Sequence, residues 1–290
     1  MYSVPFDYLC AHNIQEALKL LSEYGEEGRV IAGGQSLIPL MKLRLARPKC
    51  LVDIKRVPGL SFINKENGHL KVGALTTHRE LGVSDLIRSD LPIMHEAAQV
   101  IADPQVRNLG TLVGALCQAE PSGDWAPVVL ALGGRLKCVG QKGERVLEAK
   151  EFFVDAYTTL LQPGEILTEV NLPIPGARAG GAYLKVQRRA GDFAVAGVAV
   201  QLTLDEAGLC KDIGIGLSGA GLTPLRAVAV EELLRGRRIS AEILEEASRC
   251  LAGSVDPISD LRGSSKYKTD VLKVTLKRAV QLAASRSKRS

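Results

Sequence analysis

Apolar residues along the first half of the chain switch between helical and strand spacing. Ile14, Ala17, Leu18 and Leu21 keep a helical period behind Asn13-Ile14-Gln15-Glu16, which has the form of a capping box. This predicts a helix ending at Tyr24, with Gly25 as the stop. A strand over 29–32, a short helix over 37–43 and a strand over 51–54 complete a small βαβ-like opening. A strand follows at 70–74, then a second capping-box candidate at Thr77-His78-Arg79-Glu80. A helix over 91–102 is broken by Asp103-Pro104, and a long loop is expected over 108–123. Beyond it come a short apolar helix over 126–132 and strands over 135–139, 145–148 and 165–172.

Pro173-Ile174-Pro175-Gly176, followed by Gly180-Gly181, is the best candidate boundary. It divides the chain into 1–175, with a smaller part over about 1–55 and a larger one over about 56–175, and 176–290. The second unit begins as a strand meander, 182–187, 195–204 and 211–217. Helices over 227–234, 240–251 and 270–284 follow. Strands and then helices point to an α+β class, an antiparallel sheet with helices on one face.

At 290 residues the chain is long enough for two cores. Aromatics are only 4% of it, so aliphatic side chains must fill them. The net charge of +5 overstates the body, because Arg286, Lys288 and Arg289 supply three of the charges. That basic tail is expected to be solvated. No basic stripe with interleaved aromatics argues for a nucleic-acid partner. No basic leader or membrane-length apolar run is present, so a cytoplasmic location is expected. The six cysteines form no C-x-x-C, and no metal site is expected.

Two glycine-containing segments carry the candidate chemistry. Ala32-Gly33-Gly34-Gln35-Ser36 follows a strand and precedes a helix, so its backbone N–H groups are free to meet an anion. Taken alone it reads more readily as an ordinary strand-to-helix turn. The second segment runs Arg107-Asn108-Leu109-Gly110-Thr111-Leu112-Val113-Gly114-Ala115, with Asp124 after Pro121-Ser122-Gly123. Asp124 suits ribose or ribityl hydroxyls, or else caps the helix behind it. Together the segments suit an extended ligand with a central pyrophosphate, the shape of FAD. Gly214-Ile215-Gly216-Leu217-Ser218-Gly219 spells a dinucleotide fingerprint, but its first glycines lie inside a strand, so it is read as strand glycines with a turn. His12, His69, His78 and His95 are scattered and read as ordinary core or surface residues. Lys185 either faces an anionic flavin edge or is an exposed strand cation.

In this order the segments resemble the FAD-binding medium subunit of molybdenum hydroxylases, typified by aerobic carbon monoxide dehydrogenase and the flavin segment of xanthine dehydrogenase. The likeness also covers Phe6-Asp7-Tyr8, the block from Lys185 to Ala194, Thr223-Pro224-Leu225-Arg226 and Asp260-Leu261-Arg262-Gly263-Ser264. It implies a vanillyl-alcohol-oxidase (PCMH)-type FAD fold followed by a smaller α+β domain. It further implies FAD contacts from Ala32, Gly33, Gly34, Gln35, Ser36, Leu37, Thr111, Gly114, Ala115 and Asp124, with Leu161, Lys185 and Phe193 near the ring. No side chain of this chain is then catalytic. The implied oxidoreductase passes electrons from a [2Fe-2S] small subunit to FAD and on to a quinone, NAD or oxygen. A large subunit carrying molybdenum cofactor oxidises the substrate, in a heterotrimer that dimerises. Val113 and Ala115 stand where the family usually has glycine and serine, which motivates a second reading, a scaffold subunit with weak or lost FAD binding. A stand-alone flavin oxidase of the same fold is a third.

Overall fold

In the computed structural model, which describes residues 2–288, the opening segment forms β1 (Asp7–Cys10), α1 (Ile14–Tyr24), β2 (Gly28–Ile31), α2 (Leu37–Lys42) and β3 (Cys50–Asp53). The Glu16 N–H donates to Asn13 Oδ1 at 2.8 Å, and the Glu16 carboxylate accepts from the His12 N–H at 2.7 Å. The helix therefore starts where the sequence places it. β1 and β2 both run parallel to a central, fully buried β3. The turn leaving β2 is thus anchored on a three-stranded sheet.

The larger part begins with β4 (Ile63–Glu66) and β5 (His69–Gly73). Six helices follow: α3 (His78–Val83), α4 (Asp85–Asp90), α5 (Pro92–Val100), α6 (Pro104–Leu109), α7 (Leu112–Gln118) and α8 (Trp125–Ala131). Then come β6 (Arg135–Gly140), β7 (Gly143–Glu148), α9 (Ala149–Phe152), the small hairpin of β8 (Phe153–Asp155) and β9 (Thr158–Thr159), and β10 (Ile166–Pro173). The five longer strands make an antiparallel sheet in the order β4-β5-β10-β6-β7. Thr77 and Glu80 complete the expected capping box at α3. The expected loop over 108–123 is a correction, because most of it is helical. Asp103 caps α6 through the Val106 N–H and Thr111 caps α7 through the Gly114 N–H, so two polar side chains each start a short helix.

The last sheet is a meander of β11 (Ala179–Val186), β12 (Ala196–Leu204), β13 (Cys210–Ser218) and the short β14 (Leu225–Arg226). The helices α10 (Val228–Leu234), α11 (Ala241–Ala252) and α12 (Ser265–Ser287) close the fold. Strand alternation sorts the two faces. Val198, Val200, Leu202, Ile213, Ile215 and Leu217 share a core with the three C-terminal helices. Tyr183 and Ala199, on the other face, join the core of the preceding part. Glycines make this second contact close. A methyl group at Gly214 would lie 2.0 Å from the Ala131 carbonyl oxygen, and one at Gly216 would lie 1.9 Å from that of Pro127. The apparent fingerprint is therefore a landing strip for α8.

α12 starts five residues before the expected 270, because Ser264 accepts from the Tyr267 N–H and extends it. The basic tail is also corrected. Arg286 lies within α12 and donates to the Glu96 carboxylate and to the Gly181 carbonyl. Lys288 is exposed, and Arg289 lies outside the described residues. Among the described residues no helix is long and apolar enough to cross a membrane.

A Gly216→Ala variant is expected to lose about 1–3 kcal/mol of unfolding free energy in chemical denaturation, because its methyl group meets backbone rather than a flexible side chain. Gly176→Ala, where nothing lies within 4 Å, should stay within about 0.5 kcal/mol of the parent. Equal midpoints for the two would refute close packing at Gly216.

Candidate functional site

The first glycine segment leaves β2 and enters α2. Gly34 has φ of 70°, a left-handed conformation that suits glycine. The first bonds of α2 run from the Ile38 N–H to Gly34 and from the Leu40 N–H to Ser36. Among the described residues no group accepts from the backbone N–H of Gly34, Gln35, Ser36 or Leu37. The Gln35 side chain folds back to the Gly33 carbonyl at 3.1 Å.

The second segment meets the first directly. A methyl group on Gly33 would lie 2.0 Å from the Leu109 carbonyl oxygen and 2.8 Å from Gly110 Cα. Thr111 then starts α7. Its hydroxyl takes the Gly114 N–H at 2.9 Å and its carbonyl takes the Ala115 N–H at 3.0 Å, leaving the Val113 N–H without an acceptor. Val113 itself is helical, without positive φ, and its side chain is buried in the core. A β-branched residue is unstrained there, and Val113 also lines the cavity that these segments share. This removes backbone strain as a ground for a scaffold subunit with weak or lost FAD binding.

Ala32, Gly33, Gly34, Gln35, Ser36 and Leu37 line one cavity of about 1050 Å³ together with Thr111, Gly114, Ala115, Asp124, Leu161 and Phe193. That volume is at the upper end for a small-molecule site. Lys185 does not line it. Its ammonium is buried behind Asp124, 3.0 Å and 3.1 Å from the two carboxylate oxygens and 3.1 Å from the Val100 carbonyl. Lys185 is therefore neither an exposed strand cation nor a cavity-facing one; it acts on the cavity through Asp124. Asp124 makes no capping bond to α8, and its other partner is the Tyr183 hydroxyl at 2.6 Å. Burial raises the Asp124 carboxyl above its ordinary range, and the Lys185 ammonium and Tyr183 hydroxyl pull it back. Phe193 is half exposed at the rim, with the Arg262 guanidinium 5.6 Å from its ring centre.

Two cavity residues have no sequence signal. Trp125, next to Asp124, donates its indole N–H to His78 Nδ1 at 2.9 Å. His78 is 4% exposed, and burial together with the Arg107 charge lowers its pKa to about 4. It follows a capping threonine like any first-turn residue, and its partner is 47 positions away. Tyr157 and Glu120, joined at 2.7 Å, also reach the lining.

These residues fit a dinucleotide. Consecutive unpartnered N–H groups suit a pyrophosphate, a lining carboxylate suits hydroxyls, and Leu161 and Phe193 suit an aromatic ring. The comparisons agree. Residues 4–175 match the FAD binding domain in molybdopterin dehydrogenase, and residues 181–283 match the CO dehydrogenase flavoprotein C-terminal domain. The chain belongs to this family of FAD-binding subunits. It is 38% identical over 283 residues to the carbon monoxide dehydrogenase medium chain of Afipia carboxidovorans, covering 98% of each chain. It is also 38% identical to the 6-hydroxypseudooxynicotine dehydrogenase complex subunit alpha of Paenarthrobacter nicotinovorans, covering 98% of this chain and 96% of that one. A chain of the reconstituted CO dehydrogenase from Oligotropha carboxidovorans matches with a TM-score of 0.96 and 38% identity, over 99% of this chain and 100% of that one. The protein is thus an FAD-binding medium subunit of the molybdenum hydroxylase type, the FAD-dependent component of an oxidoreductase.

Asp124→Asn leaves the Lys185 cation buried without a counter-charge, and about 3–5 kcal/mol of stability is expected to go with it. Unchanged denaturation would refute the pair. For His78 the folded pKa of about 4 lies below the usual 6.5, so the unfolded chain binds more protons between them. Its contribution is present above pH 6.5 and lost as pH falls towards 4. Between pH 7 and pH 4 the parent should lose about 3 kcal/mol more than His78→Asn. Parallel pH profiles for the two would contradict a buried neutral imidazole.

Proposed function

We propose that the chain is the electron-transfer flavoprotein of a molybdenum-containing hydroxylase, organised as an FAD domain over 1–175 and a C-terminal domain over 176–290. When bound, FAD supplies a redox relay from a [2Fe-2S] partner subunit to an external acceptor, while a partner carrying molybdenum cofactor oxidises the substrate. The residues of this chain bind, orient and shield. The backbone N–H groups of Gly34, Gln35, Ser36, Leu37 and Val113 hold the pyrophosphate. Asp124, held in place by Lys185 and Tyr183, accepts from hydroxyls of the ribityl or ribose chain. Leu161 and Phe193 flank the ring, and Arg262 steadies Phe193 from outside the cavity. The complex is a cytoplasmic heterotrimer of small, medium and large subunits, with this chain at its flavin end.

The observation that carries this reading is the direct contact of the two glycine segments, which brings two sets of unpartnered N–H groups into one cavity. The visible spectrum of the purified chain tests it, repeated on the supernatant after denaturation. A stoichiometric flavin band, released as FAD, is the expected result. A chain that stays colourless with excess FAD would sink the reading. Turnover of a simple donor with oxygen by the isolated chain would instead favour a stand-alone oxidase.

A further inference from the structure

The two glycine segments explain how backbone holds an anion, but one side chain of the cavity wall is left with an unused donor. The Trp125 indole is a donor only, so its 2.9 Å bond makes His78 Nδ1 an acceptor. In the neutral ring the proton then sits on Nε2. Burial and the Arg107 charge keep the ring neutral at pH 7. Among the described residues no group accepts from Nε2, although His78 is 96% buried by its 4% exposure. The residue is otherwise enclosed and lines the cavity, so a donor with no protein acceptor is left to find one in whatever occupies that cavity.

The place of Nε2 names that acceptor. The ring lines the cavity, and Nε2 lies on the edge away from Trp125. A methyl group on Gly110 would lie 2.8 Å from Nε2. Gly110 is also the residue against which Gly33 packs, and it immediately precedes the Thr111 cap. Nε2 therefore sits where the first and second glycine segments meet. The backbone of His78 is tied to the same spot, since its N–H donates to the Gly110 carbonyl at 2.9 Å. The backbone bond places the residue, and the indole bond holds the ring.

We propose that His78 is a side-chain ligand of the bound dinucleotide, its Nε2–H donating to a pyrophosphate oxygen at the junction of the two glycine segments, with Trp125 as the positioning residue that fixes the tautomer. This rests on the FAD reading above. It adds a neutral donor to a site otherwise built from backbone. A neutral donor adds directionality to the site without placing a permanent second cation beside the Arg107 charge.

Two variants separate the roles of the ring. His78→Asn keeps an acceptor near the Nδ1 position for Trp125 but removes the donor into the cavity. His78→Gln keeps a donor near the Nε2 position. With the flavin-free full-length chain, FAD binding followed by flavin fluorescence should weaken about ten- to hundredfold in His78→Asn. His78→Gln should recover most of that loss. Because either variant can perturb folding, the parent chain labelled with ¹⁵N-histidine gives a second measurement. The His78 Nε2–H resonance should move on adding FAD or ADP and stay in place with riboflavin. Parent-like affinity in His78→Asn, a resonance indifferent to bound FAD, or an equal response to riboflavin would each overturn the assignment. A parent chain that binds no FAD would overturn the FAD reading itself, and this inference with it.

Discussion

Asp124 and Trp125 stand side by side at the start of α8, and each reaches into a different part of the molecule. Asp124 meets Tyr183 and Lys185 of β11, while Trp125 meets His78 of α3. Both contacts depend on where α8 lies. It can lie flat on β13 only because Gly214 and Gly216 present no side chain to the carbonyls of Ala131 and Pro127. One close backbone approach therefore sets the position of the C-terminal sheet, the carboxylate in the cavity wall and the orientation of the histidine. Ordinary residues at those two strand positions would push the helix outward and loosen all three.

The Asp124–Lys185 pair is expensive to bury, and its worth as a stabiliser is modest once desolvation is counted. Its geometry explains its use better. The Lys185 ammonium also takes the Val100 carbonyl at the end of α5, and Tyr183 fills a further acceptor position on Asp124. The carboxylate is held by two groups, and Asp124 lines the cavity. A site built this way loses little entropy when a ligand arrives, because its polar groups are already oriented. The glycine segments follow the same logic, since the N–H groups of Gly34 to Leu37 are fixed by α2 and by contact with Gly110 rather than by the ligand.

Local signals in the chain are legible where the physics is local. Asn13, Thr77 and Ser240 each cap a helix through the N–H three residues on, and all three are visible as short polar-then-apolar patterns. The strand glycines of the false fingerprint were also legible, since a strand runs through them. The same local logic failed between Asn108 and Gly123, where glycines suggested a loop and Asp103 and Thr111 instead start two helices. A cap followed by so few residues leaves no periodic stripe to recognise.

The sequence by itself determined most of the longer helices and strands, the α+β class and the two glycine segments, because propensity, capping and spacing act over a few residues. It also carried the family resemblance, through motifs spread along the whole chain. Only the tertiary structure decided that the two segments touch, that Val113 is a helical core residue, and that Lys185 stands behind Asp124 instead of in the cavity. It also drew His78 out of a scatter of unremarkable histidines and bound Arg286 to Glu96. Each of these depends on partners tens of residues or more apart, and burial, tautomer and ion pairing are properties of the neighbours a fold supplies, which no window of sequence contains.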